Sequence, residues 1–583
     1  MITRSKAQWV EKGERCTKYF FGLERSNAKK KMITKLVDDK SGECLLTQDK
    51  ITDYAVNYYQ NIYSSTYPKA EQISDYIQQS SINSIPDSLS STLDEQVTLE
   101  ELETVIKSLK NNKSPGWDGL TAEFYRFFWD DIKFILYNSF QESINSNCLS
   151  PSQRIGVITL FLKPKPPPEL VYIKNWRPIT LLNIDYKIFA HIVKNRFIQA
   201  IPLVVSKVQS GFQSGKSSSD NLILMCLVLD HYNNHEDDGG LVLQVDFEKA
   251  FDSVEHSFLF KTLETMGFGQ YIIKLVKIAF HGCFGYINVN GYLSKPVYLG
   301  RGLHQGSPLS PILFLLIAQV FSRKLEINNN INGLKVSGIE LLLSLFADDT
   351  DLFLEATGDS VDEVVKEMRD FGILSGCKAN LSKTKCILLG QARTDVNLTA
   401  HITERYGADF LTNDFTALGV HLNNYSSLQD ISNLNYSEKF EKAKTKAIFW
   451  NSRDLTIYGR ITIIKLLLLV QFVYIVTPLP RTDSKITQEI TNFTFKFVWG
   501  GKVDKVKRNI ITQKREKGGL NMLYLHDFIC GIKVKLLQKV GNFYFEHNWK
   551  DIVINQCRYP DVCRPPGHML RKWIGQQYTL IYV

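Results

Sequence analysis

The chain has 583 residues, 44% of them hydrophobic and 22% charged, and a net charge of +9. That balance excludes a single compact core and a mostly disordered chain, and implies about three to five domains or subdomains. The basic excess points to a polyanionic partner, with nucleic acid the first candidate.

Ten scattered cysteines without a C-x-x-C pair read as reduced thiols in an intracellular protein. The opening "MITRSKAQWVEKGERC" has no apolar core of a secretory signal. Residues 1–90 read as an N-terminal extension in which "WVEKGERCTKYFFGLERSNAKKKMITKL" interleaves basic side chains with stacking rings. That mixture suits RNA, and a solvated helix with a few core aromatics is the competing reading. "SSINSIPDSLSSTLDEQ" is Ser-rich and reads as a linker. "TLEELETVIKSLKNNKSPGWDG" follows as an amphipathic helix with a capping box between Thr98 and Glu101, then a Pro/Gly turn.

From Ile155, "IGVITLFLKPKPPP" is a strand running into a proline-rich basic turn. "NWRPITLLNIDYKIFAHIVKNRF" is an extended lead-in and then a helix with one apolar face. The unbroken run Leu241–Val245 predicts a central strand buried on both faces, with Asp246 near its end. "RGLHQGSPLSPILFLLIAQVFSRKL" is a glycine turn and a helix, with Ser310 and Pro311 at the N-cap and first turn. "LLLSLFADDTDLFLEA" suits a β-hairpin carrying Asp348 and Asp349 at its tip. No short-period repeat is present, which excludes a solenoid or propeller.

"ITIIKLLLLVQFVYIVTPLP" is broken by Lys465 and Gln471 and reads as a buried helix of a soluble protein, because its apolar runs are shorter than the ~20 residues of a bilayer span. Beyond about residue 430 the chain reads as helical and increasingly basic. Cys557, Cys563 and His568 cluster near the C-terminus at a spacing foreign to zinc sites, and read as unmetallated.

An Asp-Asp dipeptide is ordinarily a solvated turn. Here apolar runs bracket the pair, and Asp246 stands in a similar setting 102 residues earlier. Burying a carboxylate beside another is costly unless something compensates. Three aspartates brought together at strand ends would hold hard divalent cations, and two Mg²⁺ ions ~4 Å apart stabilise both oxygens of an in-line phosphoryl transfer.

"LVLQVDFEKAFDSV", "RGLHQGSPLSPILFLL", "LFADDTDLFL", "LSKTKCILLG" and "ALGVHL" stand in the order of the palm motifs of reverse transcriptases, and their wording resembles the enzymes of non-LTR (LINE-type) retrotransposons. "GERCTKYFFGLE", "NNKSPGWDGLTAEFYRFFW", "NWRPITLLNIDYKI" and "SGFQSGKSSSDNL" resemble that family's N-terminal extension and fingers. "GRITIIKLLLLVQFVYIVTPLP" and "FVWGGKVDKVKRNIITQKREKGGL" resemble its thumb and the region after it.

The resemblance implies an α+β right-hand polymerase. Its parts would be an RNA-binding extension (1–90), fingers with part of the palm (91–240), an antiparallel palm sheet on helices (241–425), a helical thumb (426–500) and a basic C-terminal region (501–583). Asp246 and Asp348 match the metal-binding aspartates and Asp349 their companion, with Ala347 the small residue usual before the pair. Phe251 matches the steric gate against a ribonucleotide 2′-hydroxyl, with core packing as the alternative. Gln305 and Gly306 match the turn beneath template and incoming nucleotide, Gly306 allowing backbone to approach the bases. Lys383 matches a proton donor to the pyrophosphate, with Lys385 as the fallback. Lys163 and Arg177 resemble the pair that grips the triphosphate, or serve as ordinary phosphate-backbone contacts.

The implied activity is RNA-directed DNA synthesis with two Mg²⁺ ions (Mn²⁺ the substitute), an RNA template, a DNA primer or target DNA, and deoxynucleoside triphosphates. The implied location is nuclear and cytoplasmic, as a ribonucleoprotein without membrane association. The chain reads as a truncated product of a longer element, with target nicking in cis unsupported. A catalytically inactive RNA-binding derivative is the competing function, and intact aspartates favour the enzyme. An RNA-directed RNA polymerase is disfavoured by Phe251.

Overall fold

The computed structural model describes residues 32–163, 171–235 and 238–558. The expected RNA-binding stretch before residue 32, the proline-rich turn at 164–170, Cys563, His568 and the Cys557 side chain lie outside these. The architecture is α+β, as expected.

Among the described residues the chain forms fourteen strands. β1 (Leu36–Val37) and β2 (Cys44–Leu45) make a small hairpin. β3 (Ile155–Leu162) and β4 (Trp176–Leu182) precede the central β5 (Gly239–Val245), and β6 (Phe284–Val289) and β7 (Tyr292–Tyr298) follow it. β8 (Leu334–Val336) and β9 (Ile339–Leu341) form a hairpin next to β10 (Leu343–Phe346), β11 (Asp349–Glu355) and β12 (Lys385–Gly390). β13 (Asp414–Ala417) and β14 (Val420–Asn423) close the set.

Two four-stranded sheets organise the molecule. The N-terminal sheet has the order β4-β3-β6-β7, with β3 and β6 parallel. Gly156, Ile158 and Leu160 of β3 point inward in strict alternation, the period of a strand with one covered face. Tyr59 and Tyr63 of the helix Gln48–Tyr63 pack there with Trp176, Ile287 and Val297.

The second sheet, β10-β11-β5-β12, is antiparallel throughout. Its apolar strands are unbroken because both faces are covered. Leu241, Leu243, Leu352 and Leu354 face one core, shared with the helices Ile184–Val204 and Ser310–Glu326. Val242, Phe353 and Ile387 face another, shared with the helix Ser218–Asn234 and the C-terminal helices. Each such side chain contributes ~1.5–3 kcal/mol on burial, so this sheet is the rigid platform of the fold.

Several local expectations meet their structures. Thr98 and Glu101 form the reciprocal capping box, and Glu101 also receives the buried Arg196 guanidinium at 2.8 Å. The Ser-rich "linker" is instead anchored by the helix Asp87–Leu93, because Ile85, Leu93 and Val97 are buried. The helix after β4 buries one side as expected and leaves Asn195, Ile198, Gln199, Pro202 and Leu203 exposed along the other in its second half. Ser310 is the first helical residue and Leu309 the N-cap; the Ser310 hydroxyl donates to the His304 carbonyl instead of capping.

Ile457–Val476 is long and apolar enough to cross a membrane by length and composition. It is buried along one face only: Ile461, Ile464, Leu468, Phe472 and Ile475 enter the C-terminal core, while Leu466 and Val470 are exposed. A π-turn at Ile464–Leu468 interrupts its α-helical bonding.

Candidate active site

Three strand ends build the site. β5 pairs with β11 so that Val245 lies opposite Thr350, which sets Asp246 beside Asp349. Phe346 pairs with Asp349, leaving Ala347 and Asp348 as a two-residue turn. The Asp246 carbonyl accepts from Asn380 N at 2.7 Å, and this bond fastens the "NLSKTK" turn to the same end of the sheet. Lys383 Nζ then lies 3.5 Å from an Asp246 carboxylate oxygen. Lys385, the fallback, is turned away and donates to the Asp409 carbonyl.

Asp348 and Asp349 stand at the hairpin tip, as their apolar flanks suggested. The strands are buried, while the pair sits at the exposed tip of the hairpin, where the turn projects it beyond the sheet. Protein still crowds the pair, as it crowds groups on the floor of a cleft. Desolvation, then the nearby Asp246, raises Asp348 above the usual carboxylate range, with Arg177 opposing. Asp349 is pushed up to about 6 by desolvation, then by Asp348 and Asp246. Three carboxylates thus repel one another across one strand edge.

Among the described residues no group of three or more acidic, His or Cys side chains is placed to hold a metal ion by itself. The set is open and made of hard oxygens alone. That donor chemistry fits divalent ions which take one or two carboxylates and complete their shell with phosphate and water oxygens.

Cations face the acids. Arg177 is exposed on β4, and Lys163 directly follows β3. Lys249 was not singled out from the sequence. It adopts a left-handed φ of 49°, donates to the Trp176 carbonyl at 3.3 Å and lies 5.9 Å from the ring centres of Tyr58 and Tyr59. Burial lowers it to about 8; Asp252 opposes this, and Lys163, Lys383 and Arg177 add to it. Four cations therefore act on one another beside the carboxylates.

The Phe251 ring stacks on Phe314 at 4.5 Å and meets Phe212 edge-on at 6.5 Å, and remains part-exposed. Packing fixes it without burying it. The Leu303 amide donates to the Phe251 carbonyl at 2.7 Å, tying the ring's backbone to the glycine turn. Within that turn Gln305 Nε2 donates to Asp252 at 2.8 Å, and the Tyr63 hydroxyl donates to the other Asp252 oxygen at 3.3 Å. Asp252 is buried and its carboxyl is pushed up to about 7 by burial, with Lys249 opposing. Gly306 has a φ of 124°, and a Cβ there would lie 2.3 Å from the Thr180 carbonyl oxygen. It also approaches β4 closely, because the turn pairs with that strand through Thr180 N and the Gln305 carbonyl at 2.7 Å.

Residues 163–422 match the family model described as reverse transcriptase (RNA-dependent DNA polymerase). The chain is 28% identical over 545 residues to the transposon TX1 uncharacterized 149 kDa protein of Xenopus laevis, covering 92% of this chain and 40% of that protein. It is 29% identical over 297 residues to the retrovirus-related Pol polyprotein from the type-2 retrotransposable element R2DM of Drosophila melanogaster, covering 50% and 26%. It is 24% identical over 307 residues to the RNA-directed DNA polymerase from mobile element jockey of Drosophila funebris, covering 51% and 32%. Over the matched region the chain is similar to the reverse transcriptases of non-LTR retrotransposons. It spans less than half the length of each of these three relatives.

The structure brings Asp246, Asp348, Asp349, Lys383 and Arg177 near one another, and Phe251 and Gln305 line the adjoining turn. Lys249 and Asp252 belong to the same constellation. Both lie inside the "DFEKAFDSV" run, but their partners Tyr58, Tyr59 and Tyr63 are nearly 190 residues away, where no local pattern points to them.

Proposed function

We propose that the chain is an RNA-directed DNA polymerase acting in retrotransposition, extending a primer 3′-hydroxyl on an RNA template. The observation that carries this reading is the strand register that sets Asp246 beside the Asp348–Asp349 hairpin, with lysines and arginine opposite. Reverse transcriptases use divalent ions. In this reading two Mg²⁺ ions, or Mn²⁺ in their place, held by Asp246 and Asp348 with Asp349 alongside, supply when bound the positive charge that offsets the transferring phosphoryl group.

The chain's own groups do the rest. Arg177 and Lys163, with Lys249 behind them, hold the triphosphate by charge; the forked guanidinium suits two phosphate oxygens at once. Lys383, kept near Asp246, carries the proton given to the departing pyrophosphate oxygen, help typically worth ~10²–10⁴-fold. The Phe251 ring, immobilised on Phe314, fills the space a 2′-hydroxyl would need. Gln305 presents its remaining polar atom to the nucleotide while Asp252 holds its amide. The same reading places the protein with its RNA in the nucleus and cytoplasm.

The test is extension of primed poly(rA) by the purified chain with thymidine triphosphate and Mg²⁺, scored by product length. Long products that vanish on chelation are expected. RNA binding without any extension would instead favour the inactive RNA-binding derivative.

A further inference from the structure

The segment between the helices Ile184–Val204 and Ser218–Asn234 has no part in the chemistry above, yet it is laid along the catalytic hairpin. Leu345 N donates to the Val208 carbonyl at 2.9 Å and Ser210 N to the Leu345 carbonyl at 2.8 Å, so Gln209 pairs with β10 as a single bridging residue. The Gln209 side chain is 1% exposed. Its Oε1 accepts from Gly211 N at 2.7 Å and from Ala347 N at 3.0 Å, and its Nε2 reaches the Ala347 carbonyl at 3.5 Å.

Ala347 has a φ of 59°, a left-handed conformation that an L-residue keeps only when its surroundings impose it. Asp348 follows directly. An L-residue in that well, with a buried amide whose partner is one side chain, depends on that side chain. The fit is close on the other side too, since a Cβ on Gly211 would lie 2.4 Å from Ala347 N. The loop is itself anchored: Gln213 Nε2 and Lys216 Nζ donate to the Gln209 carbonyl at 2.9 and 3.0 Å.

We propose that Gln209 is a positioning residue that holds the Ala347 turn in its left-handed form and so aims Asp348 and Asp349. It touches no reacting atom and acts only through the hairpin backbone. The kinetic part of this inference rests on the polymerase reading, and the exchange measurement below does not.

Gln209→Met keeps the side-chain volume and removes the acceptor. Misplacing catalytic groups by about 1 Å costs ~10²-fold, so kcat for primer extension is expected to fall by about that factor. The nucleotide KM and RNA affinity should stay within about threefold, since neither group binds through Gln209. Amide exchange in the peptide spanning 343–352 should quicken at least about tenfold, as a hydrogen-bonded turn loosens. Adding Ala347→Gly, which accepts positive φ without strain, should restore at least about tenfold of the lost kcat. Should Gln209→Met fail to fold, Gly211→Ala tests the same contact from the other side, with the same fall in kcat and rise in exchange expected.

Wild-type kcat and wild-type exchange in Gln209→Met or Gly211→Ala would overturn the proposal. So would an Ala347→Gly addition that recovers nothing. A wild-type chain that extends no primer would sink the polymerase reading, while the exchange result would still decide the clamp.

Discussion

Asp220, in the first turn of the helix Ser218–Asn234, and the hairpin pair Asp348–Asp349 are acids in protein surroundings that the chain handles in opposite ways. Asp220 is 1% exposed and fully engaged: Lys539 Nζ reaches both of its oxygens at 2.9 Å, Trp549 Nε1 one at 3.2 Å, and Ser217 donates through both amide and hydroxyl. Lys539 and Trp549 come from more than 300 residues away, so the carboxylate rivets the C-terminal helices to the platform. Asp348 and Asp349 make no ion pair among the described residues. They are crowded, repel Asp246, and face Arg177 only as the weakest of the effects acting on them. A buried charge that is structural arrives with its counter-charge, whereas a charge that serves chemistry is left for substrate and ions to neutralise.

Substitutions sharpen this contrast. Asp348→Ala should lower primer extension by more than about 10³-fold with unchanged RNA binding and melting temperature. Surviving extension would mean that the carboxylate is not needed. Asp220→Ala should do the reverse, costing about 3 kcal/mol in chemical denaturation by stranding its partners, with residual extension in the folded fraction. A melting profile equal to wild type would break the comparison. Phe251→Val should relax discrimination against ribonucleotides by about tenfold, the scale of a few methylenes of steric exclusion; unchanged sugar selectivity would leave the ring a packing group.

A further effect concerns pH. Asp252 is pushed up to about 7 by burial, although Lys249, Tyr63, Gln305 and Lys163 all favour its charged form. Between about 4 and 7 the folded chain thus keeps a proton that the unfolded chain has released, so this group's contribution to stability falls as pH rises, by on the order of 1 kcal/mol per pH unit. Asp252→Asn should flatten that decline. Parallel curves for variant and wild type would show that the carboxyl is ionised throughout.

The contrast also explains what could be read from the residues beforehand. The unbroken run of β5 and the hairpin flanks encode a strand covered on both faces, and that places Asp246 and the aspartate pair at strand ends. The Thr98–Glu101 box is equally local. The flanking apolarity reports the strands and not the turn between them, and the hairpin pattern is what places the pair at the exposed tip. The approach of Gly306 to β4 was hidden because a glycine shows that something comes close without showing what. Gln209, Lys249 and Asp252 stayed silent since each acts through partners far along the chain, and neither periodicity nor spacing carries such contacts. The helix Asp87–Leu93 was hidden under a Ser-rich composition, and only its buried Ile85 and Leu93 anchors give it away.

The central claim is that Asp348 and Asp349 lack a counter-charge, and Asp246 has only Lys383, because the three carboxylates take up divalent ions with the substrate. It is tested most directly by calorimetric titration of Mg²⁺ into the chain bound to an RNA template, a primer ending in a dideoxynucleotide, and the matching deoxynucleoside triphosphate. Saturable binding by the wild type, lost in both Asp246→Asn and Asp348→Asn, is the predicted result. Equal Mg²⁺ binding by wild type and both variants would contradict it.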